Sequence, residues 1–376
     1  MKNNTKDIIT IHIINSVKGG CGKTAFSLFK ALELAGKEKD NSLGADMEEA
    51  SVIWIDADFT GTASRVLFYG KDESSFQTIN GLSIEKLKKE DPELFVKPSL
   101  KDKNQLSFGE KYIRYTVNDY LEEKIHEYEK MIIHGYAFYA EKSTDENAEG
   151  KKFSYGINGA IDFIFSSPDM ENKRLFNYGE GLPTVEIGRF TYLMKVLMTN
   201  LIEIGRTGTK ASEQSNRISG YKHIVIDMPP GDDAYSGALL YMLRQLAEDR
   251  TDEKDCRIEI CLYTLATSDR GHHYALLESL KDILQKRENY KHKETVYAVL
   301  GEIRNGEFDK STLEKYINQI DEIDKEEKEE EKVRIILCEY QQFYYENCRS
   351  MDGLKMKPFA YKLTKLDRNK KKNEVN

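Results

Sequence analysis
The segment Ser16 to Thr24, SVKGGCGKT, restricts the fold more than any other stretch of this 376-residue chain. Before it runs the apolar IITIHIIN of residues 8–15. After it, Ala25, Leu28, Phe29, Leu32 and Ala35 recur at i, i+3, i+4, i+7 and i+10. The order is therefore strand, glycine-rich turn, amphipathic helix. Such a turn aims successive backbone N–H groups at one point, with the positive end of the helix dipole behind them, and so makes a phosphate cradle. Bulky side chains would block the close approach, which accounts for Gly19, Gly20 and Gly22. Lys23 then reaches the terminal phosphates, and the Thr24 hydroxyl can ligate Mg²⁺. Val17 stands where the strict G-x-x-x-x-G-K-T pattern begins with glycine, and a second lysine, Lys18, follows it.

Further short apolar runs are SVIWIDAD (51–58), IDFIFSS (161–167), HIVIDMPP (223–230), IEICLYTL (258–265), VYAVL (296–300) and VRIIL (333–337). Nearly continuous runs of this length suit strands buried on both faces. With helical segments between them they predict an α/β fold, doubly wound, with a mostly parallel sheet flanked by helices. Gly36 is expected to stop the first helix. The span from Asp58 to Asp227 is much longer than one crossover needs. Residues 70–114 and 124–157 read as insertions into a single domain covering 1–376, and a separate domain is the lesser reading. The run 321–332, with eight acidic residues and three lysines, reads as a solvated helix end or loop.

K-G-G-x-G-K-T resembles the deviant Walker-A loop of the ParA/MinD family of P-loop ATPases (the SIMIBI class). In that family the extra lysine reaches across a sandwich dimer to the partner's nucleotide, and the resemblance gives Lys18 that role. Triphosphate charge buried at a dimer interface needs cations from both sides. A surface lysine that only raises the local potential is the other reading of Lys18. SVIWIDADFTGTAS resembles the family's D-x-D-P-Q-G segment, which implies Asp56 as a ligand to a Mg²⁺-bound water and Asp58 as the carboxylate that orients the attacking water. Phe59 and Thr60 replace Pro-Gln, and Gly61 is retained. In extended chain Asp56 and Asp58 point the same way.

HIVIDMPPG (223–231) resembles the Walker-B strand, with Asp227 holding Mg²⁺ through water and Pro-Pro-Gly as the second switch. YTVNDYLEEK (115–124) and IDFIFSSPDMENKRLF (161–176) resemble the helix and strand after the first switch. LYTLATSDRGHHYALLESLKDIL (262–284) has the strand–loop–helix order that follows Walker B, and GLKMKPF (353–359) resembles the Gly-Lys-Pro near the end of the fold. Gly301 stands where the family carries a base-contacting asparagine, with Asn305 displaced, so adenine rests on the resemblance alone.

The resemblance thus implies a P-loop NTPase with a large insertion between the first switch and Walker B, and ATP and Mg²⁺ as cofactors. Lys18, Lys23 and Asp58 would be catalytic. Gly19, Gly20, Cys21, Gly22, Lys23 and Thr24 would bind nucleotide, and Thr24, Asp56 and Asp227 would organise the metal. The implied activity is an ATPase that forms an ATP-bound homodimer, responds to a stimulating partner protein, and serves DNA partition or cargo positioning on non-specific DNA. An alternative is an ATP-dependent dimerisation switch or accessory ATPase of a secretion, conjugation or defence assembly with little intrinsic hydrolysis; the altered DADFTG and the insertions favour it. A ligase-type relative that phosphorylates a small acid is a further rival. A metal-cluster carrier is disfavoured, because the five cysteines form no C-x-x-C pair.

A net charge of −8 argues against nucleic acid along the whole surface but leaves room for a local basic patch. The tail, 353–376, is such a patch: from Leu354 onward it holds eight basic and two acidic residues, with Phe359, Leu363 and Leu366 on one helical face. Engagement of DNA phosphates, anchoring to anionic lipid and a solvated terminus all stay open. Three apolar anchors make a poor membrane helix. No apolar leader follows MKNNTKD and no run of 18 apolar residues occurs, so with scattered cysteines the expected location is cytoplasmic. His272-His273, without acidic or cysteine neighbours in sequence, reads better as surface than as a metal site. Cys21 is either an ordinary loop residue or a redox-sensitive thiol at a helix N-terminus.

Overall fold
The structure is a computed structural model. It describes residues 7–16, 22–41, 51–59, 115–142, 153–167, 186–207, 221–229, 234–250, 256–266, 270–286, 289–302, 333–344 and 359–365. In chain order the elements are β1 (Asp7–Asn15), α1 (Lys23–Asn41), β2 (Val52–Asp56), α2 (Val117–Leu121), β3 (Ile133–Lys142), β4 (Phe153–Ile164), α3 (Ile187–Thr207) and β5 (His223–Asp227). They continue with α4 (Ala234–Asp249), β6 (Cys256–Ala266), α5 (Arg270–Lys286), β7 (Lys293–Glu302), β8 (Val333–Tyr344) and β9 (Phe359–Lys365). Two compact units divide the chain. One comprises Thr24–Pro229 with Tyr344–Pro358, the other Met1–Lys23 with Pro230–Phe343 and Phe359–Asn376.

In the Thr24–Pro229 unit the strands run in the order β3-β4-β2-β5. β2 is parallel to both β4 and β5, and β3 is antiparallel to β4. All five residues of β2 are buried, as a two-sided apolar run requires. Trp54 packs edge-on to Phe163 and Phe165, whose own rings stack at 5.6 Å between centroids. The indole N–H of Trp54 donates to Ser27 Oγ at 3.0 Å, which fastens α1 to the face of β2 that carries Trp54. A buried indole needs such a partner.

In the other unit the order is β1-β6-β7-β8-β9, with β1, β6, β7 and β8 mutually parallel along the row. His12, Tyr263 and Tyr297 line up across three adjacent strands, the two tyrosine rings stacked at 4.5 Å. Arg244 of α4 makes a two-pronged bond to Glu294 near the start of β7, Nε to Oε2 at 2.9 Å and Nη2 to Oε1 at 2.7 Å. His292 adds a contact to Glu294 Oε2 at 2.9 Å, and the guanidinium lies over the Tyr290 ring. Parallel strands linked through helices make this the α/β class that the alternating runs predict.

Two local expectations fail. Gly36 does not stop α1, which runs on to Asn41. One interior glycine costs about 1 kcal/mol relative to alanine, and the Lys-Glu-Lys that follows consists of good helix formers. Of the expected stripe on α1, Leu28 and Ala35 are buried and Phe29 is half-buried, and the buried face widens to take in Phe26, Ser27, Ala31 and Leu34. Finally, the tail forms strand β9 from Phe359 to Lys365 instead of a helix. Phe359, Tyr361 and Leu363 recur at every second residue, a period of two that suits a strand. Of the two expected insertions, 70–114 lies outside the described residues, and 124–157 supplies β3 and the start of β4. The acidic run 321–332 and residues 366–376 also lie outside them.

Candidate active site
β2 and β5 end together. Asp56 and Asp227 are in-register neighbours on parallel strands, so their side chains share one face, and both are fully buried. Trp54, two residues before Asp56, is on that face as well, where α1 covers it. The first turn of α1 is pinned in turn, because Ser27 Oγ bonds the Thr24 carbonyl at 2.9 Å and accepts from Trp54. Thr24 thus begins a helix held against the carboxylate-bearing face of β2. The N–H of Ala57 donates to the Asp227 carbonyl at 2.9 Å and keeps the chain beyond β2 against the end of β5.

Asp58 departs from the extended geometry expected for it. Its backbone N–H donates to Asp56 Oδ1 at 3.2 Å, so the chain turns back on the first carboxylate instead of continuing the strand. A short aspartate side chain competes for the backbone donor two residues on, the usual asparagine and aspartate turn. The other oxygen, Asp56 Oδ2, accepts from the Ser166 hydroxyl at 2.5 Å. Burial first, and the charge of Asp58 second, push the Asp56 pKa up to about 7, while the Ser166 and Asp58 hydrogen bonds pull the other way.

Phe59 follows in a left-handed conformation, φ 57°. For a residue with a Cβ this costs about 1–2 kcal/mol, so its neighbours must hold it. Its ring is buried and meets Phe190 of α3 edge-to-face at 5.7 Å. Its carbonyl accepts from Asn118 Nδ2 at 3.3 Å.

Asp56 and Asp227 offer buried carboxylate oxygens and Thr24 a hydroxyl at the start of a helix, all hard oxygens of the kind that suits Mg²⁺. Among the described residues no group of three or more His, Cys, Asp or Glu is gathered tightly enough to cage a metal. Mg²⁺ held beside a nucleotide does not require such a cage, because it keeps waters and takes phosphate oxygens with one or two carboxylates.

Of the other residues singled out in the sequence, Gly22 has φ 76°, a left-handed value that glycine adopts without penalty, immediately before α1. Lys23, buried, opens the helix, and Thr24 is half-buried. Lys18, Gly19, Gly20 and Cys21 lie outside the described residues, as do Thr60, Gly61 and Asn305. Gly301 is in β7. His272 is half-buried in the first turn of α5. Cys256, Cys261 and Cys338 are free thiols. Among the described residues no helix is long and apolar enough to cross a membrane. Sequence reasoning missed Ser166, Asn118 and Ser27. The visible signals were slight: a Ser-Ser pair ending a buried apolar run, and a Thr-x-x-Asp capping box that presents Asn118.

No protein-family model matches the sequence, and no curated protein matches it. Among solved structures, the chain is similar to a plasmid partition protein from Borrelia burgdorferi, at TM-score 0.39 and 15% identity over 81% of this chain and 84% of that one. It is also similar to a protein from Corynebacterium diphtheriae, at TM-score 0.31 and 11% identity over 84% and 88%. Likenesses this weak add nothing to what the residues themselves support.

Proposed function
We propose that the chain is a Mg²⁺-dependent ATPase of the deviant Walker-A type that dimerises on ATP and acts as a switch in DNA partition or cargo positioning. The observation that carries the reading is the pair Asp56 and Asp227, buried side by side at the ends of parallel strands, on the face of β2 to which Ser27 of α1 is fastened. Thr24, Asp56 and Asp227 would hold the metal, which neutralises charge on the β and γ phosphates. The loop amides from Gly19 to Thr24, with Lys23, would cradle the phosphates. Asp58 orients the attacking water in this reading. Phosphoryl transfer asks the protein mainly for positioning and electrostatics, and that is what fixed carboxylates at strand ends supply.

A dimerisation switch with little hydrolysis is the second reading. The left-handed Phe59, where the family carries proline, favours it, since the segment that positions the water is altered at that residue.

Sedimentation of wild type and Lys18→Ala with ADP, with ATP, and with ATP plus duplex DNA tests the proposal. The expected result is a dimer for wild type with ATP only, a monomer for Lys18→Ala throughout, and a DNA-bound species only from the dimer. Monomers for both proteins with ATP bound would overturn the dimer-switch reading and turn attention to the phosphotransferase rival.

A further inference from the structure
We infer that Asn118 is a positioning residue for the first-switch segment: from a buried place on α2 it latches the carbonyl of Phe59, the residue after Asp58, to the backbone that continues β4. The inference rests on the reading of Asp58 as the carboxylate that orients water. Asn118 Nδ2 donates to Phe59 O at 3.3 Å, and Asn118 Oδ1 accepts the Ser167 N–H at 2.8 Å. All three residues are buried. A primary amide of this length suits the task, since a carboxylate only accepts.

The latch has a firm base. Val117 N–H donates to the Phe165 carbonyl at 3.0 Å, which docks α2 on the end of β4. Thr116 and Asp119 close a reciprocal capping box around the start of that helix. Phe165–Ser167 is therefore a platform for both switch carboxylates. Ser166 bonds Asp56 directly, and Ser167, through Asn118, holds the residue after Asp58. The ring of Phe59 against Phe190 and its carbonyl in the latch both restrain its left-handed backbone. Release of the carbonyl frees the torsions on either side of it, and Asp58 is the next residue back.

The test compares wild type, Asn118→Ala and Asn118→Asp. Steady-state hydrolysis and ATP affinity are measured in parallel with hydrogen exchange on peptides spanning Ala57–Phe59 and Phe163–Ser167. The latch predicts kcat lower by roughly tenfold to a hundredfold in both variants, the loss that a misplaced reacting group produces, with ATP affinity near wild type. Asn118→Asp keeps an acceptor for Ser167 and loses the donor for Phe59, so only the Ala57–Phe59 peptide should exchange faster; Asn118→Ala should speed both. As the pH falls the introduced carboxyl takes a proton and regains a donor, so its kcat relative to wild type should climb.

Wild-type kcat in both variants, or unchanged exchange over Ala57–Phe59, would overturn the latch. So would a joint loss of affinity, turnover and Tm with no recovery at low pH, the pattern of a merely structural residue. If wild type does not turn over ATP, the proposed function falls, and the exchange pattern alone decides the latch.

Discussion

Asparagine in place of Asp56 is expected to make the protein more stable at pH 8, by up to about 4 kcal/mol, and to lower Mg²⁺-dependent turnover at least a hundredfold. The two effects share one cause. The Asp56 carboxyl is fully buried beside Asp58 and holds its proton up to about pH 7, against an ordinary 3.8. Below 3.8 folded and unfolded chains both carry the proton. Between 3.8 and about 7 the folded protein keeps a proton that the unfolded chain has lost, so stability falls as the pH rises through that window and stays low above it. Asparagine has no proton to lose, and the Ser166 hydroxyl can turn to meet its amide. Thermal unfolding of wild type and Asp56→Asn from pH 4 to 8 should therefore show curves that coincide at the acid end and separate toward neutrality. Mg²⁺ with nucleotide should close the gap from the wild-type side by stabilising the ionised carboxylate. A variant less stable than wild type at pH 8 would mean that Asp56 already has a compensating cation and is no open metal ligand.

The parallel strands were legible because burial on both faces leaves an unmistakable apolar run, as in VIWID and HIVID. The placement of Asp56 and Asp227 at strand ends followed from the same runs. Their adjacency did not: that depends on β2 lying between β4 and β5, and strand order is set by the whole sheet. Ser166 is 110 residues from Asp56, and Asn118 is 59 from Phe59, so no local spacing marks either pair.

The failures within single elements have local causes. Gly36 reads as a helix stop, but a penalty of about 1 kcal/mol is easily outweighed once the preceding turns are packed. β3, IHGYAFYAEK, was hidden in a tyrosine-rich stretch because its alternation slips at Ala137/Phe138, where the pairing with β4 changes register. The bend at Asp58 is decided by one hydrogen bond to Asp56, which the spacing of DAD does not encode.

Loss of either partner of the Arg244–Glu294 pair is expected to cost about 3–5 kcal/mol, the usual penalty for stranding one member of a buried ion pair. Glu294 is fully buried and Arg244 nearly so. Burial pushes the Glu294 pKa up, yet the His292 and Arg244 hydrogen bonds and the Arg244 charge outweigh it and hold the carboxyl below its ordinary 4.5. A depressed carboxyl contributes stability that is complete above the unfolded value and lost as the pH falls through the folded one. Acid unfolding below about pH 4.5 should accordingly be blunted in Glu294→Gln. In urea titrations at pH 7, Arg244→Met and Glu294→Leu should each be strongly destabilised, and the double variant should recover part of the loss, because apolar residues of similar size replace both charges at once while buried His292 still loses its Glu294 partner. Additive losses would refute the pairing. Glu294 stands near the start of β7, level through β6 with Ile11 of β1 and so four residues short of Asn15, where β1 leads toward the glycine-rich segment. Variants there should move stability and leave turnover per folded molecule unchanged, which separates them in one assay from Asp56→Asn, whose stability and turnover move in opposite directions.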